Sequence, residues 1–133
     1  MIIVEGKIKG KARPRVYNGH AMTPQDSVNY ENWVRLCYQQ QGGIHLEGPI
    51  KANIIVFHKV PKSCTKRRLK EIREGFEYPQ KKPDADNIAK IVLDSLNKIA
   101  YDDDSQVVEL TVIKRWTEDI ERIEFKLEGI SNE

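Results

Sequence analysis

An α+β domain is the fold class this sequence predicts: a single domain, residues 1–133, with helices packed on one mixed β-sheet. Three observations predict it. Two segments repeat their apolar residues with the period of a helix, and four others alternate or run apolar as strands do. The segments interleave as strand, helix, strand, helix and hairpin. A length of 133 residues suits one core that needs no disulfide or metal to hold it.

Residues 1–9 (MIIVEGKIK) alternate loosely and read as the first strand. Residues 10–19 (GKARPRVYNG) hold Gly, Pro and an Asn-Gly pair, so they form a basic, turn-rich stretch. Thr23 or Ser27 can cap a helix running to about Gln41. Tyr30, Val34, Cys37 and Tyr38 share its apolar side, and Gly42-Gly43 stops it. Residues 49–58 (PIKANIIVFH) are a strand. Ile50, Ala52, Ile54 and Val56 lie on one face, Ile55 and Phe57 on the other, so both faces are expected to be partly covered. Residues 59–82 are the least regular part, with room for a short helix from about Thr65 to Glu74. Asp86 is expected to cap the best helix, 87–99, whose stripe is Ile88, Ile91, Val92, Leu96 and Ile99. Residues 105–116 and 119–127 alternate and, joined by Thr117-Glu118, read as a hairpin. Trp33 and Trp116 fall within these patterns and are expected in the core.

Composition excludes several classes. Hydrophobic residues are 39% and charged residues 32%, the balance of a folded, water-exposed domain rather than a disordered chain. No apolar run approaches the ~20 residues of a membrane span. Charges at Glu5, Lys7 and Lys9 fall where a signal peptide needs its apolar stretch, so secretion by that route is not expected. Cys37 and Cys64 have no metal-site or redox spacing and read as reduced thiols of a cytoplasmic protein. The net charge of +2 conceals a division. Residues 1–82 carry 16 Lys and Arg against 7 Asp and Glu; residues 83–133 carry 6 against 13. A basic half joined to an acidic half suggests a polyanion-binding surface beside a carboxylate cluster, although a polarised solvated surface looks the same in sequence.

The chemistry concentrates in PDADNIAKIVLDSLNKIAYDDDSQVV, residues 83–108. Asp84 and Asp86 stand at the mouth of a helix. Lys90 follows one turn on and Asp94 a further turn on. Asp102, Asp103 and Asp104 precede the next strand. Carboxylates crowded together repel one another unless a cation neutralises them. Mg²⁺ takes such oxygen ligands and often bridges carboxylates to a substrate phosphate. Taken singly, Asp86 could be only a cap, Asp86 and Lys90 only a surface pair, and the Asp run only a turn. Their joint occurrence favours a site.

This segment resembles the signature of the RusA Holliday-junction resolvases of bacteria, phages and prophages: Asp84-Ala85-Asp86-Asn87-Ile88-Ala89-Lys90, then Asp94-Ser95-Leu96, then Asp103-Asp104-Ser105-Gln106-Val107. Residues 10–15 (GKARPR) are similar to a basic Arg-Pro-Arg segment of many phage members. The resemblance implies a homodimeric, Mg²⁺-dependent endonuclease, with Mn²⁺ able to substitute, that resolves four-way junctions by paired nicks in DNA recombination and repair. It implies Asp84, Asp86 and Asp104 as catalytic, metal-holding acids, Asp103 as a further candidate ligand, and Lys90 as the essential lysine. The chain departs from the pattern in a third acid, Asp102, and in a longer segment from Lys59 to Lys82. Both departures bear on junction selectivity rather than chemistry.

The residues suit the reaction. Phosphodiester hydrolysis needs a hydroxide nucleophile and neutralisation of charge at phosphorus, which carboxylate-held metal and a lysine supply. His20, His45 and His58 are scattered, at no metal-ligand spacing, and are expected to be surface or half-buried. DNA affinity is expected from phosphate contacts by Lys11, Arg13, Arg15, Lys66, Arg67, Arg68, Lys81 and Lys82. Two other readings stay open: a metal-dependent nuclease of other branched DNA, and a non-catalytic nucleic-acid-binding module. The acids argue against the second, since a binder gains nothing from repelling phosphate. A PD-(D/E)xK nuclease would need an acid-x-Lys pair on the next strand, where Glu109-Leu110-Thr111 stands instead.

Overall fold

The structure, a computed structural model, describes residues 1–11, 15–17, 20–22 and 25–131; for 15–17 and 20–22 only the backbone path is described. The strands are β1 (Ile2–Glu5), β2 (Arg15–Tyr17), β3 (His20–Met22), β4 (Ile50–Lys59), β5 (Val107–Thr117) and β6 (Arg122–Gly129). The helices are α1 (Gln25–Gln40), α2 (Lys66–Arg73) and α3 (Ala85–Ser95), and a 3₁₀ turn spans Asp104–Gln106. The α+β reading holds. A four-stranded mixed sheet runs in the order β1-β6-β4-β5, and β2 and β3 form a separate two-stranded ribbon.

β4 is the centre because it is the most apolar strand and alternates cleanly. Ile50, Ala52, Ile54, Val56 and His58 are all buried. Ile2 and Val4 of β1 and Ile123 and Phe125 of β6 extend that face. α1 supplies Tyr30, Val34, Cys37 and Tyr38, and α3 supplies Ile88, Ile91 and Val92, with Leu96 just beyond it. Tyr38 stacks on Phe125 at a centroid distance of 6.2 Å. α1 packs on β1 and α3, and α3 reaches β5, so one layer of helices covers this face. Lys51, Asn53, Ile55 and Phe57 on the other face are half-buried, with Arg122 over the Phe57 ring.

Several expectations need correction. β5 and β6 are not a hairpin: β4 lies between them, parallel to β5 and antiparallel to β6. Both strands pair with the most apolar partner available, and residues 118–121 cross its end, where Val60 N donates to Thr117 O at 2.9 Å. α3 begins at Ala85 with Asp84 as its N-cap, so Asp86 lies in the first turn. It ends at Ser95, and tight turns lead to the fully buried Tyr101, whose hydroxyl donates to Leu93 O at 2.5 Å. α2 is the expected short helix, capped by Thr65, which accepts from Arg68 N. Ser27 lies inside α1 and does not cap it, while Thr23 lies outside the described residues. Trp33 is 40% exposed rather than core; its Nε1 donates to Glu5 O on the outer edge of β1. Trp116 is half-buried. His58, by contrast, is 1% exposed because it continues the inner face of β4.

Candidate active site

The site begins with the geometry of α3. Ile88, Ile91 and Val92 are buried, which turns Asp86, Lys90 and Asp94 outward, four residues apart along one stripe. Asp84 closes the helix through its backbone, its carbonyl accepting from Ile88 N at 3.0 Å. Its carboxylate makes no capping hydrogen bond and stands exposed at the positive end of the helix.

The acidic loop is held by Gln106. Its Oε1 accepts from the backbone N–H of Asp102 (2.9 Å) and Asp103 (3.2 Å), and its Nε2 donates to Gly48 O (3.0 Å) and Leu46 O (3.3 Å). Asp103 caps the 3₁₀ turn, accepting from Ser105 N at 3.1 Å, and hydrogen bonds from the Ser105 hydroxyl and then from its backbone N–H lower the Asp103 pKa. Its carboxylate is therefore engaged with the turn itself. Asp104 N donates to Asn97 Oδ1 at 2.8 Å. The turn presents the Asp104 carboxylate to α3.

Asp86, Lys90, Asp94 and Asp104 line one cavity of about 350 Å³, whose apolar side includes Leu93, Val107 and Leu110. Burial, a hydrogen bond shared with Asp94, and the charges of Asp103 and Asp94 all raise the pKa of Asp104, against an opposing hydrogen bond with Asn97. Carboxylates are thus crowded around Asp104, beside Asp94 and Asp103. Asp84 lines the neighbouring cleft, with Gly10, Lys11, Lys82 and Asn87. Three of the four expected catalytic residues share one cavity, and Asp84 flanks it. Asp94, given no role by the sequence reading, joins them. Among the described residues, no three His, Cys, Asp or Glu side chains are gathered as a bound metal ion would hold them. The donor set is nevertheless all carboxylate oxygen, which suits a hard cation.

The basic residues divide. Lys11 ion-pairs with Glu31 and lies 3.5 Å from Asp94. Burial opposes its charge, but the two carboxylates outweigh that and its pKa is raised. It works inside the site's wall, not on a free surface. Arg13 lies outside the described residues, as does the side chain of Arg15. Lys66 and Arg67 are exposed on α2. Arg68 pairs with Glu77 at 3.0 Å and lies over the Trp116 ring. Lys81 and Lys82 are exposed in the segment that leads to Asp84 through a cis Lys82–Pro83 peptide.

Two further residues hold that segment: Gly10, which the sequence offers only as part of the GKARPR stretch, and Lys114, which carries no sequence signal. Gly10 packs so closely on the segment that a Cβ there would lie 2.7 Å from Pro83 Cβ. Lys114 Nζ donates to Lys81 O at 2.6 Å and Pro83 O at 3.1 Å. Gln106 stood within the quoted motif and could have been found there. Lys114 and Asn97 carried no signal.

The profile of the family described as "Endodeoxyribonuclease RusA" matches residues 5–128. The chain belongs to the RusA endodeoxyribonuclease family. A Bacillus subtilis (strain 168) protein, described as "Uncharacterized protein YqaN", is 34% identical over 128 residues, covering 92% of this chain and 89% of the relative. The RusA match takes in α3, the acidic loop, β4, β5 and all of β6 but its last residue, while β1 lies outside it except for Glu5, so the cavity lies within the family's domain. No described helix is long and apolar enough to cross a membrane.

Proposed function

We propose that this RusA-family protein is a Mg²⁺-dependent, structure-selective endodeoxyribonuclease that resolves four-way (Holliday) junctions by paired strand cuts, in DNA recombination and repair in the cytoplasm. The observation that carries the reading is the cavity shared by Asp86, Lys90 and Asp104 in a chain of this family. Asp84, Asp86 and Asp104 would hold the cation, with Mn²⁺ able to substitute. When bound, the cation supplies a hydroxide nucleophile and neutralises charge on the phosphate. Lys90, exposed at the mouth, donates to a phosphate oxygen and stabilises the charge that develops there. Lys11 holds Asp94 in place and keeps α1 and α3 together through Glu31. Leu93, Val107 and Leu110 give the cavity an apolar side. Lys66, Arg67, Lys81 and Lys82 supply exposed positive charge for the DNA backbone.

Two symmetric cuts call for two sites, and a homodimer with two-fold symmetry provides them together. The test is a panel of labelled four-way junctions, forks, flaps and duplexes with Mg²⁺, run beside analytical ultracentrifugation. The reading expects paired symmetric nicks in the junction, little cutting of duplex, and a dimer mass. Equal cutting of duplex and junction overturns the selectivity. A monomer that still makes coordinated nicks overturns the dimer.

A further inference from the structure

We propose that Lys114 is a positioning residue for Asp84, acting as a clamp on the backbone that delivers this acid to the site. The inference rests on the reading of Asp84 given above. Lys114 is on β5, opposite Val56 in the parallel register and so on the helix-covered face of the sheet. From there its ammonium reaches up to the segment before α3 and donates to two carbonyls, Lys81 O at 2.6 Å and Pro83 O at 3.1 Å. Those carbonyls flank Lys82, and Pro83 O belongs to the peptide that joins Pro83 to Asp84. A charged donor on two backbone acceptors is stronger than a neutral one, and it is hard to replace by water where it is half-buried.

The surroundings fit a clamp rather than a DNA contact. Burial lowers the Lys114 pKa; the Asp84 carboxylate opposes that and the Lys81 charge adds to it. An ammonium kept under such pressure, with its donors turned to carbonyls of its own chain, is built into the scaffold. Gly10 also abuts this segment at Pro83, and beyond it Asn87 of α3, whose carbonyl accepts from Lys11 N at 3.0 Å. Pro83 is thus held both by a glycine backbone and by a lysine ammonium. Asp84 makes no side-chain cap, so its direction depends on where this backbone is held. A displacement of about 1 Å at a catalytic group is enough to lower a rate about a hundredfold.

The test compares Lys114→Met, which keeps the length and loses the donors, with Lys114→Arg, which restores them. Folding is read first from the thermal midpoint; if Lys114→Met does not fold, Lys114→Gln takes its place with the same expectations. Three readouts follow: single-turnover junction cleavage at saturating protein, the junction Kd, and amide hydrogen exchange. Ile88 N–H, bonded to Asp84 O, reports whether the cap stays in place; Ile54 and Phe125 in the sheet serve as controls. The clamp predicts cleavage at least tenfold slower in Lys114→Met, a Kd within twofold of wild type, and Ile88 exchange about tenfold faster with the sheet amides unchanged. Lys114→Arg returns cleavage to within about threefold. Cleavage by Lys114→Met within twofold of wild type overturns the proposal. So does a Kd that weakens in step with cleavage while Ile88 exchange stays constant, since Lys114 would then be contacting DNA. If wild type cleaves no junction, the functional reading falls instead, and the Ile88 exchange still decides whether Lys114 holds the cap.

Discussion

Gln106→Ala removes a side chain that makes four hydrogen bonds between the acidic loop and the segment before β4. Its four hydrogen bonds, 2.9, 3.2, 3.3 and 3.0 Å long, connect Asp102 and Asp103 to Leu46 and Gly48. A neutral hydrogen bond contributes about 0.5–1.5 kcal/mol net, and the lower end applies where water can take over, as on this partly exposed loop. Four bonds near 0.5 kcal/mol give about 2 kcal/mol. That alters the ratio of ordered to disordered loop by up to about thirtyfold. Asp104 reaches the cavity only when the loop is ordered, so single-turnover cleavage should fall by about ten- to thirtyfold. Binding of the junction should hold, since no cation is lost. Gln106→Glu should be as poor or worse: it keeps the acceptor, loses the donor, and adds a charge beside three aspartates. Cleavage within twofold of wild type in Gln106→Ala, with unchanged amide exchange at Asp104, would refute the reasoning.

Asp104→Asn should stabilise the protein at pH 7 while abolishing cleavage. The folded pKa of Asp104 is raised by burial and by Asp94 and Asp103, so its carboxyl favours folding at pH below the unfolded value and that advantage is lost as pH rises through the folded one. The gain in thermal midpoint should therefore be present at pH 7 and vanish below about pH 3.9; a midpoint lowered at pH 7 contradicts this. Gly10→Ala should destabilise by about 1–3 kcal/mol through overpacking against Pro83, measured by denaturant unfolding, and an unchanged midpoint counts against the close approach. Replacing Lys66, Arg67 and Arg68 together by Ala should reduce the slope of log affinity against log salt by about 2, about 0.9 for each of the two exposed cations, because Arg68 is tied to Glu77 at 3.0 Å whereas Arg67 is 92% exposed and only 3.8 Å from Glu71. A constant slope places α2 away from DNA.

What was legible in the sequence followed from periodicity and local chemistry. The stripe Ile88, Ile91, Val92 and Leu96 predicts both α3 and the outward direction of Asp86 and Lys90, because one face of a helix fixes the other. The alternation in β4 predicts its inner face. Strand partnership was not legible: residues 105–116 and 119–127 are adjacent in sequence and alternate alike, and only the assembled sheet shows that β4 separates them. The helix start was misplaced by two residues because Asp84 and Asp86 are both good caps, and the choice depends on Gly10 and Lys114 gripping residues 81–84 from distant parts of the chain. Lys11 reads as a surface cation until the fold brings Glu31 and Asp94 to it. Long-range contacts of this kind leave no periodic trace.

The central claim is that the cavity between α3 and the acidic loop hydrolyses phosphodiesters of a branched DNA. The most direct measurement is cleavage of a labelled four-way junction by wild type and by Asp86→Asn, each with Mg²⁺ and with the metal chelated. The account predicts paired nicks by wild type with Mg²⁺ alone, none by Asp86→Asn, and junction binding by Asp86→Asn at least as tight as wild type, because one acid facing the phosphate has been neutralised. Full cleavage by Asp86→Asn, or nicking that persists after chelation, would contradict it.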